Sequence, residues 1–143
     1  MKVYVANDHH GVGLKLYLRN MLCAAGYDVE NLGVDNPDEK VDFPLVVAPV
    51  ADKLLSDPSA RGIVICGTGG GVLVAANRYR HIRATRCDRP DQAKQDRFHG
   101  DINVLALGAD DIDLEAAFLV ARSFLESPFD ATERRLRRIK LIS

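Results

Sequence analysis

The residues best suited to chemistry are Cys66-Gly67-Thr68-Gly69-Gly70-Gly71, where a thiol, a hydroxyl and four glycines follow the apolar run Gly62-Ile63-Val64-Ile65-Cys66. Such an order puts a thiol at a strand tip and aims the backbone N–H groups of the loop and the next helix outward, where they favour negative charge. That setting can promote a thiolate and can stabilise an oxyanion. The same residues read equally well as a small buried side chain and glycines that permit a tight turn. Three common uses of a glycine loop are disfavoured. A P-loop needs Gly-Lys-Ser/Thr, and this loop has no lysine. A dinucleotide fingerprint begun at Gly67 needs glycine where Val72 stands, and a cysteine phosphatase loop needs arginine at that same place.

Other polar groups are candidates for the same crevice. Asp8-His9-His10-Gly11 follows the apolar Val3–Ala6. Asp8 there is either a reactive carboxylate or a cap for the next helical turn, and His10 reads as structural or exposed. His99 follows a predicted helix; taken alone, a loop histidine reads more readily as a surface residue than as a catalyst. Arg134 and Arg138 are four apart, so they share a helix face and can clamp one phosphate or form a solvated basic face, while Arg135 points elsewhere. Cys23, within an amphipathic pattern, is expected in the core. Cys87, next to charged residues at the end of a strand, can lie near the crevice but has no assigned partner. No CxxC pair exists, so neither a zinc ribbon nor a thioredoxin-type redox pair fits.

The elements that must position these groups follow from period and punctuation. Short apolar runs predict strands at Val3–Ala6, Val29–Leu32, Gly62–Cys66, Ile82–Thr85 and Asn103–Leu107. Helical spacing runs through Leu14, Leu18, Met21 and Leu22 and closes at Gly26. A second helix starts at Asp42-Phe43-Pro44, with Asp42 near the cap, and continues to about Leu55. Further helices are predicted at Val72–Asn77, Asp91–Phe98, Ala116–Leu125 and Ala131–Lys140. Strands alternating with helices imply a three-layer, Rossmann-like doubly wound α/β domain over residues 1–143, with a five-stranded, mostly parallel sheet and a C-terminal helix. Ligands in such folds bind beyond the carboxyl ends of the strands, where the Asp8 and Cys66 clusters fall.

Composition narrows the class. With 143 residues, 47% of them apolar, the chain can bury a core without disulfides or a structural metal. Nineteen basic against 20 acidic side chains argue against a protein that holds nucleic acid, while small anions remain plausible partners. The N-terminus turns polar after six residues and cannot be a signal-peptide core, and no apolar stretch approaches the ~20 residues of a membrane helix. A reduced, cytoplasmic protein is expected.

Over nearly its whole length the sequence resembles the family of ribose-5-phosphate isomerase B and the galactose-6-phosphate isomerase subunits. The resemblance rests on Asp8-His9-x-Gly11, Val41-Asp42-Phe43-Pro44, and above all Ile65–Gly71 with Ala75-Ala76-Asn77. His81-Ile82-Arg83-Ala84, His99-Gly100-Asp101 and Asn103–Gly108 follow in the same order. It implies interconversion of aldose and ketose phosphates through an enediolate, without metal or organic cofactor. By this resemblance Cys66 is the base that moves a proton between C1 and C2. Thr68 and the amides of Gly67, Gly69, Gly70 and Gly71 form the anion hole, and Phe43 walls the pocket. Asp8 handles protons on the hydroxyl oxygens, and His99 is the acid that opens the sugar ring. His9, Arg134 and Arg138 match phosphate-binding positions, with Arg135 and Arg137 as the fallback pair. The family also implies homodimers with shared pockets, which often pair further.

The sequence departs from the family where it has Asp110 in place of an arginine, Gly100 in place of an asparagine, Phe43 in place of a tyrosine, and Asp88-Arg89 in place of His-Asp. Exchanging a cation for an anion beside a phosphate reverses an attraction worth about 1 kcal/mol or more. These departures bear on which sugar is taken rather than on the type of reaction, and Arg86 or Arg89 is a candidate to replace the missing cation.

Overall fold

The computed structural model describes all 143 residues. Strands β1 (Lys2–Asn7), β2 (Asp28–Asn31), β3 (Arg61–Cys66), β4 (Ala84–Arg86) and β5 (Val104–Gly108) form one sheet in the order β2-β1-β3-β5-β4. Every pairing is parallel, so the expected mostly parallel sheet is parallel throughout. Helices α1 (Val12–Ala24), α2 (Phe43–Ser56), α3 (Gly70–Ala76), α4 (Pro90–Gly100), α5 (Leu114–Glu126) and α6 (Glu133–Ile142) complete the three-layer, doubly wound arrangement.

Alternation along the central strands sorts their side chains into two cores, because successive residues of a strand face opposite ways. Val3, Val5, Ile63, Ile65, Leu105 and Leu107 pack with Leu14, Leu18 and Leu22 of α1 and with Val120 and Phe124 of α5. Tyr4, Ala6, Val64, Cys66, Val104 and Ala106 pack with Val46, Val47, Val50 and Leu54 of α2 and with Val72 and Ala76 of α3. Each fully buried side chain of this size contributes roughly 1.5–3 kcal/mol. Cys66 thus ends its strand on the α2–α3 side of the sheet.

The sequence expectations need several corrections. Strand β4 starts two residues late, because Ile82 N–H is tied into a turn on Tyr79 and Arg83 N–H donates to the Asn103 side chain, 2.7 Å away. Helix α3 begins at Gly70, not Val72, and Asp42, although at the cap position of α2, makes no capping bond with its side chain. Helix α4 runs on through Gly100, so His99 sits in its last turn rather than in a loop. Cys23 is exposed, since the buried stripe of α1 passes through Leu18 and Leu22 and the next residue turns away. Cys87 is fully buried rather than open to the crevice, with its sulfur 3.6 Å from an Asp96 oxygen.

Candidate active site

The carboxyl ends of β1, β3 and β5 lie side by side, with Asn7 paired to Ile65 and Cys66 to Gly108. The residues just beyond those ends line a cleft of about 330 Å³: Asp8, His10, Phe43, Cys66, Gly67, Thr68, Gly71 and Asp110. Strand β4 contributes nothing to it, because Cys87 is buried and Asp88 pairs with Arg86.

Each group is held by local bonds. The Gly69 N–H donates to Cys66 Sγ over 3.2 Å. Gly69 reaches that position in the left-handed region (φ +78°), and a β-carbon there would stand 2.9 Å from the Gly108 nitrogen, so glycine alone fits. The Gly70 N–H donates to Thr68 Oγ1 over 3.2 Å, which leaves the hydroxyl proton free to be donated elsewhere. Two of the amides expected in an anion hole are therefore engaged within the loop. Asp8, 6% exposed, accepts from the His10 N–H over 2.9 Å. It caps the single turn His9–Gly11 and also lines the cleft. The Phe43 ring packs against Gly71, 3.0 Å from where a β-carbon would be.

His9 and His10 take places the sequence did not distinguish. His9 is not among the residues that line the cleft, and its ring accepts from the Val41 N–H through Nδ1 over 3.3 Å. His10 is exposed as expected, but into the cleft beside Gly67, and its ring lies 4.3 Å from that of His9, tilted by 40°. The distance between the two roles is one residue, and a 3-10 turn decides which ring faces inward.

The remaining candidates are not brought to this cleft within one chain. Helix α4 leaves the carboxyl end of β4 and runs back for about 16 Å before β5 begins. His99 therefore lies at the opposite end of the sheet from Cys66. Arg134 and Arg138 are exposed on α6, which starts beside α4, where the Asp130 N–H bonds to the Phe98 carbonyl. Arg135 is buried and donates to His99 Nδ1. Arg86 is not a substitute cation in the cleft: it donates to the Thr68 carbonyl and pairs with Asp88 and Asp111. Arg89 pairs with Asp91 at the surface. No group of three or more His, Cys, Asp or Glu side chains has a geometry that could hold a metal ion, and no helix is long and apolar enough to cross a membrane.

Known proteins resemble this chain in sequence and fold. The family model described as ribose/galactose isomerase matches residues 3–142. Ribose-5-phosphate isomerase B of Escherichia coli is 33% identical over 136 residues, which cover 95% of this chain and 91% of that one. The crystal structure of a ribose 5-phosphate isomerase from Thermotoga maritima superposes with a TM-score of 0.94 at 41% identity, over 99% of this chain and 96% of that one. Ribose-5-phosphate isomerase B from Mycoplasma genitalium, solved with bound ribulose-5-phosphate, gives 0.93 at 32% identity, over 99% and 93% of the two chains. With a thiol at the tip of β3, a carboxylate at the tip of β1 and this likeness over the full sheet, the chain belongs to the ribose/galactose isomerase family and is an aldose–ketose isomerase by class.

Proposed function

We propose that the protein converts ribose 5-phosphate into ribulose 5-phosphate through an enediolate, without a cofactor, as one domain spanning residues 1–143. The observation that carries this reading is the Cys66 sulfur, which faces the cleft beside Asp8 and takes a backbone N–H from Gly69. Cys66 removes the proton from the carbon next to the carbonyl and returns it to the neighbouring carbon. Asp8 moves the proton between the two oxygens. The Thr68 hydroxyl and the loop amides that remain free donate to the enediolate oxygens as charge develops there, the placement that gives donors their largest effect on rate.

The reading requires a homodimer. His99, the proposed ring-opening acid, and Arg134 and Arg138, the proposed phosphate ligands, lie away from the Cys66 cleft of their own chain, so a second copy must bring them to it. Leu136, Leu141 and Ile142 of α6 are 50–78% exposed and offer an apolar surface for that contact. A place in the cytoplasm, within pentose phosphate metabolism, follows from the substrate.

A second reading keeps the reaction and changes the sugar. Asp110 stands in the cleft together with Asp8, and no lysine or arginine is among the lining residues. That charge favours a sugar whose far end is uncharged, or whose phosphate is held elsewhere.

The test is isomerisation of ribose 5-phosphate by the native protein and by Cys66→Ser. Loss of the thiol base should lower kcat by roughly 10²- to 10⁴-fold. Native protein that is folded but inactive on ribose 5-phosphate would overturn the first reading, and activity on free or shorter sugars would then establish the second.

A further inference from the structure

The side chain of Arg135 is almost wholly removed from solvent, although it belongs to a helix whose other arginines are exposed. Its guanidinium donates twice to one ring nitrogen: Nε lies 3.2 Å and Nη2 2.9 Å from His99 Nδ1. Nη1 pairs with Asp130 and the planar group lies over the Phe98 ring at 5.0 Å, so the fork is fixed in position and direction. On the other side of the imidazole, His99 Nε2 is 3.0 Å from Gln95 Oε1, one helical turn earlier.

These contacts allow one arrangement of protons. A guanidinium has only donors, so Nδ1 must supply a lone pair and cannot carry hydrogen. The ring proton is then on Nε2, where the Gln95 carbonyl oxygen accepts it. We infer that Arg135 is a positioning residue that holds His99 as the neutral Nε2–H tautomer and compensates charge on the ring when Nε2 gives up its proton. The inference rests on the proposed role of His99 in ring opening. In that step the C1–O bond of the ring breaks and its electron pair takes the Nε2 proton. The anomeric hydroxyl loses its own proton to Asp8 and becomes the carbonyl. Electron density left on the imidazole faces a guanidinium through two hydrogen bonds, and before the next turnover the ring regains a proton from solvent while Asp8 releases to solvent the one it took. Gln95 is exposed, so exchanging its oxygen for the ring oxygen of a sugar requires no rearrangement of the core.

Nitrogen NMR of the native enzyme labelled with ¹⁵N-histidine tests this directly, with His99→Gln used to assign the signal. The expected spectrum shows a hydrogen-bearing Nε2 and a bare Nδ1 for His99; a proton on Nδ1 would overturn the inference without any variant. In Arg135→Met the two tautomers should mix, and kcat for ribose 5-phosphate should fall about 10-fold or more, but by less than the ~10²- to 10⁴-fold expected for loss of the acid itself. KM should change little. Arg135→Lys, which keeps one cationic donor, should recover part of the tautomer bias and part of kcat. An unchanged tautomer in Arg135→Met, or a mixed tautomer with undiminished kcat, would overturn the positioning role. The spectrum needs no turnover, so a native enzyme with the predicted tautomer but no isomerase activity would refute the proposed function and leave the tautomer assignment standing.

Discussion

The carboxylate of Asp110 stands over the α-carbon of Gly67: a β-carbon on that glycine would lie 2.8 Å from Asp110 Oδ2. The contact is fixed from the backbone, since the Asp110 N–H bonds to the Gly67 carbonyl over 2.9 Å and the Ala109 N–H to that of Cys66. Asp110 has no cationic partner within salt-bridge distance, so its charge is felt by whatever occupies the cleft.

That charge makes a kinetic prediction. A phosphate brought to about 4 Å from Asp110 meets a repulsion of about 1 kcal/mol even at the dielectric of bulk water, which corresponds to about a fivefold change in affinity. Asp110→Asn should lower KM for ribose 5-phosphate by that factor and leave kcat/KM for unphosphorylated ribose unchanged. Asp110→Arg should lower KM further. Equal effects on the two sugars would show that no phosphate approaches this carboxylate.

The glycine loop yields a paired prediction. Gly69→Ala forces a side chain into the left-handed region and against the backbone at Leu107–Gly108, so it should cost roughly 1–3 kcal/mol and lower Tm by several degrees. It should also lower activity, because the amide that serves Cys66 must move. Gly70→Ala, where a β-carbon would meet only Thr68 Oγ1 at 3.5 Å, should leave Tm nearly unchanged. Thermal melts of the two variants separate backbone strain from a general intolerance of the loop; equal losses would remove the argument from φ.

What the sequence disclosed and what it withheld have physical reasons. The runs Val3–Ala6 and Gly62–Cys66 are buried on both faces, so their composition alone marks them as strands. Once the sheet is parallel, the rule on strand ends places Asp8, Cys66 and Asp110 in one crevice. The edge strand was less legible, because Ala84–Arg86 is short and half-buried and its start is set by the Asn103 side chain, 20 residues away. The contact of Arg135 with His99 joins positions 36 apart across two helices. Neither residue carries a periodic signal that names the other. The exposure of Cys23 was lost because a hydrophobic count over α1 does not say which residue begins the outer face.

Cys87 supplies the last prediction, on reactivity and alkaline stability. Burial, reinforced by the nearby Asp96 carboxylate, pushes its thiol from the ordinary 9.0 up to about 12. In the folded protein it stays protonated where an unfolded chain would ionise, so below pH 9 the two states bind the same proton. Between pH 9 and about 12 only the folded state retains it. Stability must therefore fall as pH rises through that window, in the sense that linkage requires when the native state holds more protons. Denaturant melts of Cys87→Ala should lack this part of the alkaline slope, although the cavity left by the sulfur lowers stability at every pH. Iodoacetamide at pH 8 should modify the exposed Cys23 readily and leave Cys87 untouched until the protein unfolds. Rapid alkylation of Cys87 in the folded state, read by peptide mass, would show that the thiol is neither closed off nor held protonated.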